Sequence, residues 1–214
     1  IAQKYSEKNI LLLTYNKDLK LDSRKRVSDL KIRNMEVHSF HSFCVKTYDS
    51  KAFDDNGIIK ITDKDIEPKK PFSYDILLID EIQDINSLYY ELICKIAKDN
   101  GCDFKLAILG DIFQCINHWN HSDHRYIQKA EELFRFNEYD WKQCNLSTSY
   151  RLTNEISGFI NNCLLGEQRI QTVKSDKIVN YLVCDTFKRN VLLNHVLDYL
   201  EQGYLYEDIF ILAP

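Results

Sequence analysis

The sequence predicts an α/β fold in which helices cover both faces of a doubly wound parallel sheet. Short, uninterrupted apolar runs recur along the chain, and segments with helical spacing of apolar residues lie between them. Such runs are typical of strands buried on both faces, as in parallel sheets. Strands that alternate with helices favour the doubly wound arrangement. The clearest run is Ile76–Ile79, which ends abruptly in polar, mostly acidic residues.

The first hundred residues are predicted to form three main strands and three helices. The strands are expected at 10–14, 36–40 and 76–79, and the helices at 17–34, 41–48 and 86–99. Asn86 is a suitable N-cap for the third helix, and Asn100-Gly101 is a suitable end for it. The polar stretch 49–73 is expected to be mostly loop, with a strand near 58–61.

The rest of the chain is predicted to continue this alternation and then to restart it. Strands are expected at 105–109 and 145–147, and helices at 125–136 and 154–163. A polar stretch at 166–177 is the expected domain boundary. Beyond it, a strand at 181–184, a helix at 192–200 ended by Gly203 and a strand at 209–212 predict one βαβ unit. We therefore expect one domain at 1–170 and the beginning of another at 177–214.

Composition limits the possible classes of function. The formal net charge is −4, so any binding to nucleic acid must come from a local groove rather than from the overall charge. Seven cysteines without a CxxC pair predict free thiols in a reducing, intracellular compartment, the cytoplasm or the nucleus. No apolar run approaches the ~20 residues that a membrane span needs, so no membrane partner is expected.

Polar residues that follow two of the predicted strands carry the main functional signal. Asp80 and Glu81 follow one strand, and Asp111 and Gln114 follow the next. Parallel sheets place ligands at the carboxyl ends of their strands. We expect Asp80 to hold Mg²⁺ through water and Glu81 to activate a water molecule. Gln114 is suited to contact a γ-phosphate or the attacking water, so the pattern predicts hydrolysis of a nucleoside triphosphate.

A third polar segment follows the strand expected at 145–147. Arg151, placed just past a strand end, is suited to stabilise the charge of a phosphoryl-transfer transition state. Its neighbour Tyr150 is suited to stack on a base.

The order of these motifs resembles that of the UvrD/Rep-type superfamily 1 DNA helicases. Three segments carry the resemblance downstream: Asp-Glu-Ile-Gln-Asp at 80–84, Gly-Asp-x-x-Gln-x-Ile at 110–116 and Leu-x-x-x-Tyr-Arg at 146–151. Upstream, residues 10–17 resemble the family's "TFxNK" segment and residues 37–43 its "TFHSF" segment. Residues 203–212 look like the beginning of the family's second RecA-like domain.

The resemblance implies a RecA-like sheet of the P-loop NTPase fold, with the start of a second RecA-like domain. It implies an ATP-dependent DNA helicase or translocase that uses ATP and Mg²⁺ and moves 3′ to 5′ on single-stranded DNA, or on a duplex with a single-stranded tail. By position, Asp80 matches the Mg²⁺ carboxylate, Glu81 the catalytic base and Gln114 the γ-phosphate sensor. Tyr150 matches an aromatic that stacks on adenine, and Arg151 an arginine on the γ-phosphate. The residues matching DNA-contacting segments are Thr14, Asn16, Lys17, Phe40, His41 and Trp119.

The chain also departs from the family pattern. No Gly-x-x-x-x-Gly-Lys-[Ser/Thr] segment occurs in 1–214, so the phosphate-binding Walker A loop is expected upstream. The expected partners therefore include the Walker A segment and the second RecA-like domain of the same protein. Residues 1–214 alone should bind ATP weakly and hardly hydrolyse it. Asn117 stands where the family often has Tyr.

Three other interpretations remain open from the sequence. One is a module that binds nucleic acid or protein and keeps the helicase fold without motor activity. Another is a metal-dependent nuclease that uses Asp80, Glu81, Asp84 and Asp111. The third is a structural Zn²⁺ site, suggested by the regular spacing of Cys115, His118, His121 and His124.

Overall fold

The computed structural model describes residues 1–101, 103–176, 178–185 and 188–212. They form two compact units, Ile1–Lys142 and Gln143–Pro214. The boundary expected at 166–177 lies within the second unit, and the division into domains at 1–170 and 177–214 stays a prediction.

The first unit is built on a four-stranded sheet in the order β2-β1-β3-β4. The strands are β1 (Ile10–Thr14), β2 (Met35–Ser39), β3 (Ile76–Ile79) and β4 (Lys105–Ile108). All three pairings are parallel, with Ile10 opposite both Met35 and Ile76, and Ile76 opposite Lys105. The predicted α/β class with a parallel sheet is confirmed.

Alternate residues of the central strands face two separate apolar layers. Leu11, Leu13, Leu77 and Ile79 belong to the larger layer, which the helices on one side of the sheet complete. Ile10, Leu12, Ile76 and Leu78 belong to the smaller layer on the opposite side. Burial of β1 and β3 on both faces explains why their sequences are continuous apolar runs rather than alternating ones.

Four helices flank this sheet: α1 (Lys17–Asp29), α2 (Phe40–Thr47), α3 (Asp55–Asp63) and α4 (Ser87–Asn100). Each begins at a residue whose side chain accepts hydrogen bonds from the first turn, namely Asn16, Ser39, Asp54 and Asn86. Helix α1 ends several residues earlier than the predicted helix at 17–34. Helices α2 and α4 closely match the predicted helices at 41–48 and 86–99.

The strand expected near 58–61 is wrong, because this segment lies in α3. Asp54 accepts a hydrogen bond from the Gly57 backbone N–H at 2.9 Å and so caps the helix. Ile58 and Ile61, three residues apart, are both fully buried on the same helix face. The spacing and the cap decided the outcome over the β-branched composition.

Short turns come after β3 and β4. Residues Ile82–Asp84, Ile112–Gln114 and His118–Asn120 form single 3₁₀ turns. The helix expected at 125–136 is instead two single turns, α5 (Arg125–Gln128) and α6 (Ala130–Leu133).

The second unit contains less regular structure. Two-residue strands, β5 (Thr148–Ser149) and β6 (Gln171–Thr172), pair in parallel. The strand expected at 145–147 is wrong by position, because the strand begins immediately after that segment, at Thr148. The helix expected at 154–163 is α7 (Asn154–Phe159) followed by a π-helical turn, Ile160–Leu165.

The βαβ unit predicted beyond residue 177 is present only in its helix. This helix is α8 (Arg189–Glu201), and Gly203 follows it with a φ of 93°, as expected for a helix-ending glycine. The strands expected at 181–184 and 209–212 are wrong, because neither segment has regular structure. Their side chains are largely exposed, and Val183 and Leu212 expose over nine-tenths of their surface.

Among the helices of the described residues, none combines the length and the apolar character required to cross a lipid bilayer.

Candidate functional site

The carboxyl ends of β3 and β4 lie side by side in the first unit. The backbone N–H of Leu109 donates to Ile79 O at 2.8 Å, and that of Ile82 donates to Leu109 O at 3.1 Å. These bonds extend the strand pairing just past both strands. The segments after the strands, 80–84 and 110–114, therefore meet at one edge of the sheet, as the sequence predicts.

Asp80 is the first residue after β3 and is partly buried. Its backbone N–H donates to Leu13 O at 3.0 Å, and its Oδ1 accepts the Glu81 backbone N–H at 3.1 Å. Burial raises the pKa of the Asp80 carboxyl, and the neighbouring Glu81 carboxylate raises it further. A carboxylate whose charge is disfavoured in this way gains from a nearby cation, which fits the predicted Mg²⁺ ligand.

Glu81 adopts an unusual backbone conformation for a residue other than glycine. Its φ is 55°, in the left-handed region, where an L-residue costs on the order of 1 kcal/mol. The Glu81 side chain is fixed at one oxygen, because Gln83 Nε2 donates to Glu81 Oε2 at 2.6 Å. The carboxylate therefore has a defined direction.

Gln83 connects the two segments at the sheet edge. Its side-chain Oε1 accepts the backbone N–H of Asp111 at 3.1 Å, and its backbone oxygen accepts from Cys115 Sγ at 3.2 Å. Only 1% of Gln83 is exposed. A Cβ at Gly110 would lie 2.5 Å from Gln83 Oε1, so this approach requires glycine there.

Gln114 lies at the end of the 3₁₀ turn that follows β4, on the exposed side of the same edge. Asp111 caps this turn through the Phe113 backbone N–H at 3.0 Å. The other Asp111 oxygen accepts from Gln114 Nε2, also at 3.0 Å. The side-chain amide of Gln114 is thus oriented by the residue that ends β4.

The loop after Gln114 is anchored to the rest of the unit on both sides of Trp119. Asn117 Nδ2 donates to Asp84 Oδ1 at 3.0 Å, and Asn120 Nδ2 donates to the Tyr15 hydroxyl. Asn86 Nδ2 donates to Asn120 O at 3.3 Å. Trp119 itself is 80% exposed. The loop therefore presents an aromatic ring to solvent from a fixed base.

An aromatic cluster links this loop to two other segments. Tyr15 contacts Tyr89 with ring centroids 5.5 Å apart, and Tyr89 contacts His41 with centroids 6.0 Å apart. Asp55 Oδ1 accepts from the Tyr89 hydroxyl at 2.8 Å and lies 3.0 Å from His41 Nε2. The segments after β1 and β2 are thereby joined to the Trp119 loop through Tyr15 and Asn120.

The structure separates the predicted DNA-contacting residues into two groups. Lys17 is exposed, Asn16 is exposed and caps α1, and His41 is partly exposed beside the aromatic cluster. Thr14 and Phe40 have no exposed surface. Their side chains belong to the interior, so any contact with a strand at these positions falls to their neighbours.

Tyr150 and Arg151 lie in the second unit, directly after β5. Ser149 Oγ accepts the Arg151 backbone N–H at 3.3 Å, and both the Tyr150 and Arg151 side chains are exposed. Tyr150 exposes 76% of its surface. Within this unit they follow a strand end, as predicted, and their roles toward a nucleotide stay predictions.

Cys115, one of the residues considered for a Zn²⁺ site, makes other contacts. Cys115 Sγ is buried against Gln83 O and lies 3.6 Å from Ser122 Oγ. Within the described part of the chain, no group of three or more His, Cys, Asp or Glu side chains is arranged to hold a metal ion.

Sequence reasoning misses two residues that organise the site. The Asp-Glu-Ile-Gln-Asp signature gives Gln83 no role of its own, and its bridging contact depends on the approach of β4, which no local pattern specifies. The other is Asp55, which falls in the stretch expected to be mostly loop. The Asp54 cap followed by Ile58 and Ile61 is the signal that indicates the helix positioning Asp55.

The parallel sheet and the polar residues at its carboxyl edge define an α/β domain of the RecA-like class. Residues 58–135, which include both polar strand ends and Trp119, match the family model described as the UvrD/REP helicase N-terminal domain. The chain is also 29% identical over 150 residues to a probable DNA helicase II homolog of Mycoplasma capricolum subsp. capricolum. That match covers 65% of this chain and 20% of the relative, so the chain spans about a fifth of the relative's length.

These two findings confirm the resemblance to the UvrD/Rep-type helicases. Residues 58–135 are therefore similar to the UvrD/REP helicase N-terminal domain.

Proposed function

We propose that this chain is part of an ATP-dependent DNA helicase or translocase. The observation that carries the proposal is the juxtaposition of Asp80 and Glu81 with Asp111 and Gln114 at one sheet edge, inside the segment that matches the family. The match supports the helicase assignment. The hydrolysis of ATP, its dependence on Mg²⁺ and the coupling to movement are our inference from the geometry.

Asp80 and Glu81 divide the proposed chemistry between them. Mg²⁺, when bound with ATP, neutralises charge that develops on the phosphates. Asp80 would hold it through water, because its half-buried carboxylate lies at the strand end and its charge is disfavoured without a cation. Glu81 would orient and deprotonate the attacking water, with its carboxylate directed by Gln83.

Gln114 and Trp119 would connect the nucleotide to the DNA strand. The side-chain amide of Gln114 is oriented by Asp111 at 3.0 Å, and Trp119 follows five residues later on the same anchored loop. A γ-phosphate that hydrogen-bonds to Gln114 would shift this loop and with it the Trp119 side chain. Stacking of a base on an exposed aromatic is worth about 1–3 kcal/mol and tolerates any base, as movement along a strand requires.

The other proposed contributions follow from the family resemblance. Tyr150 would stack on adenine and Arg151 would contact the γ-phosphate, while Asn16, Lys17 and His41 would lie along single-stranded DNA. We propose movement from 3′ to 5′, a complete site that includes a Walker A segment and a second RecA-like domain, and work on DNA in the cytoplasm or the nucleus.

The carboxylates of Asp84 and Asp111 favour this function over a metal-dependent nuclease. Asp84 accepts from Asn117, and Asp111 accepts from Phe113 and Gln114, so both hold the loop in place. Asp80 and Glu81 remain for the metal ion and the water.

The test is DNA-stimulated ATP hydrolysis by the complete protein that contains this chain. We expect hydrolysis that requires Mg²⁺ and rises with single-stranded DNA, and a loss of at least about 100-fold in kcat for Glu81→Gln. Exposed Glu91→Gln is the matched control and should change nothing.

Two outcomes would contradict the proposal. If the protein binds single-stranded DNA but hydrolyses no ATP, the non-motor module is the better interpretation. If it cleaves DNA without ATP and Asp80→Asn abolishes the cleavage, it is a nuclease.

A further inference from the structure

We propose that Gln83 is a positioning residue for hydrolysis, which holds the Glu81 carboxylate in register with the loop that carries Gln114. This inference rests on the proposed function. It assigns a role to a residue that, in the proposed mechanism, contacts neither ATP nor DNA. Four observations support it: the two contacts of its side-chain amide, its burial, the closeness of Gly110 and the backbone of Glu81.

The orientation of the Gln83 side-chain amide is fixed by chemistry. Its Nε2 faces Glu81 Oε2 at 2.6 Å, and its Oε1 faces the Asp111 backbone N–H at 3.1 Å. If the amide were flipped, its oxygen would face a carboxylate and its NH₂ would face another donor, so both contacts would become repulsive. Only a group with one donor end and one acceptor end fits between the two segments.

Burial makes these contacts obligatory. Gln83 is 1% exposed, so water does not replace a lost partner. The backbone of Gly110 lies close to the amide, because a Cβ there would be only 2.5 Å from Gln83 Oε1. The bridge therefore has a single geometry, and it transmits displacement of the Asp111 segment to Glu81.

The backbone of Glu81 explains why its carboxylate needs this support. With a φ of 55°, Glu81 lies in a region that non-glycine residues leave readily unless the surroundings hold them there. Removal of the Gln83 contact would allow the peptide to relax and the carboxylate to turn away from the strand end. A displacement of this kind lowers the rate of the chemical step while nucleotide binding is retained.

The experiment measures steady-state ATP hydrolysis by the complete protein with saturating single-stranded DNA. Gln83→Met keeps the length and volume of the side chain and removes both hydrogen bonds. We expect kcat to fall by about 10- to 100-fold, with KM for ATP within about threefold of the original value. A kcat within twofold of the original would overturn the inference.

Gln83→Glu supplies a readout that a merely structural role would not move. The protonated carboxyl donates to Glu81 and accepts from the Asp111 N–H, whereas its ionised form faces a second carboxylate. We expect the kcat of Gln83→Glu relative to the original protein to rise as the pH falls from 8 to 6. The relative kcat of Gln83→Met should stay constant, and a constant ratio for both variants would overturn the inference.

A double variant separates action through Glu81 from independent damage. In a Glu81→Gln background, Gln83→Met should lower kcat no further than about twofold, since there is no carboxylate left to position. A full additional loss would overturn the inference. If Gln83→Met does not remain folded at the assay temperature, the pH dependence of Gln83→Glu decides alone.

The failure of this inference is distinguishable from the failure of the proposed function. If the original protein hydrolyses no ATP, the function is wrong and the role of Gln83 falls with it. If the original protein hydrolyses ATP and the Gln83 variants behave like it, only the role of Gln83 is wrong.

Discussion

Two apolar runs of similar composition, one in each unit, differ in structure: one forms a buried strand and the other forms none. Ile76–Ile79 forms β3, pairs on both sides and is almost completely buried. Residues 209–212, Ile-Phe-Ile-Leu, form no strand, and Phe210 and Leu212 are 86% and 93% exposed. The backbone groups of β3 are satisfied by β1 and β4. An apolar run of this length therefore forms a strand only where neighbouring strands pair with it.

The largest expected effect is the difference in stability between truncating one isoleucine in the first run and truncating one in the second. Ile79→Ala should lower the free energy of unfolding of the first unit by about 3 kcal/mol, because it leaves a cavity in the core. Ile211→Ala, at a residue that is 57% exposed, should change stability by less than about 0.5 kcal/mol. Urea unfolding of residues 1–214 measures both. Equal effects would mean that 209–212 is as well packed as β3.

A second comparison uses one glycine from each unit. Gly110→Ala should cost about 1–3 kcal/mol, since its Cβ would meet Gln83 Oε1 at 2.5 Å and Ile82 Cγ2 at 2.9 Å. Gly158→Ala meets nothing within 4 Å and lies inside α7, so it should stabilise the second unit by up to about 1 kcal/mol. The same unfolding measurement tests both, and a neutral Gly110→Ala would show that the Gln83 bridge is loose.

The third comparison is the dependence of stability on pH. Burial lowers the pKa of His38 to about 4, below the ~6.5 of an unfolded chain. The unfolded state therefore binds the proton first, and the stabilisation present above pH 6.5 is lost as the pH falls toward 4. We expect a loss on the order of 2 kcal/mol for the first unit.

Variants at two histidines assign this pH effect. His38→Leu should flatten the decline in stability between pH 6.5 and 4. His195→Leu, at a half-exposed position on α8, should leave it unchanged. An unchanged slope in His38→Leu would mean that another group titrates in this range.

The smallest expected effect is a gain in stability at the sheet edge. The folded pKa of Asp80 is raised, so its contribution to stability is complete below the unfolded pKa and is lost as the pH rises through the folded pKa. Asp80→Asn should therefore stabilise the first unit at pH 7 by less than about 1 kcal/mol, and it should remove Mg²⁺-dependent hydrolysis from the complete protein. Asp198→Asn, with a 65% exposed side chain, is the control and should change neither quantity. A loss of stability in Asp80→Asn would contradict the sign.

The sequence predicted the central sheet because burial on both faces leaves a direct trace in composition. Strands β1, β3 and β4 appear as apolar runs, and the acidic residues after β3 mark its end. The helix α3 was missed because isoleucines suggested a strand, although Asp54 and the spacing of Ile58 and Ile61 favoured a helix. The strand at 209–212 was predicted wrongly because a local pattern does not contain the neighbours that a strand requires.

The candidate site was predictable to a similar degree. The placement of Asp80, Glu81 and Gln114 at one edge follows from the rule for parallel sheets. The bridge from Gln83 to Asp111 and the burial of Phe40 depend on contacts between segments distant in sequence. For Tyr150 and Arg151, the position after β5 was expected, and their contribution to a nucleotide site remains a prediction.

The described cysteines of the two units differ in exposure, and therefore in their expected reactivity toward thiol reagents. Cys144, Cys163 and Cys184 of the second unit are exposed, whereas Cys44 and Cys115 of the first are buried and Cys94 is half-buried. Burial raises the pKa of Cys44 to about 12, which further suppresses its thiolate. With Cys102 replaced by serine, maleimide would modify the second unit within its native state. The slow rate at which Cys115 is then alkylated would measure how often the segments after β3 and β4 separate and expose this thiol.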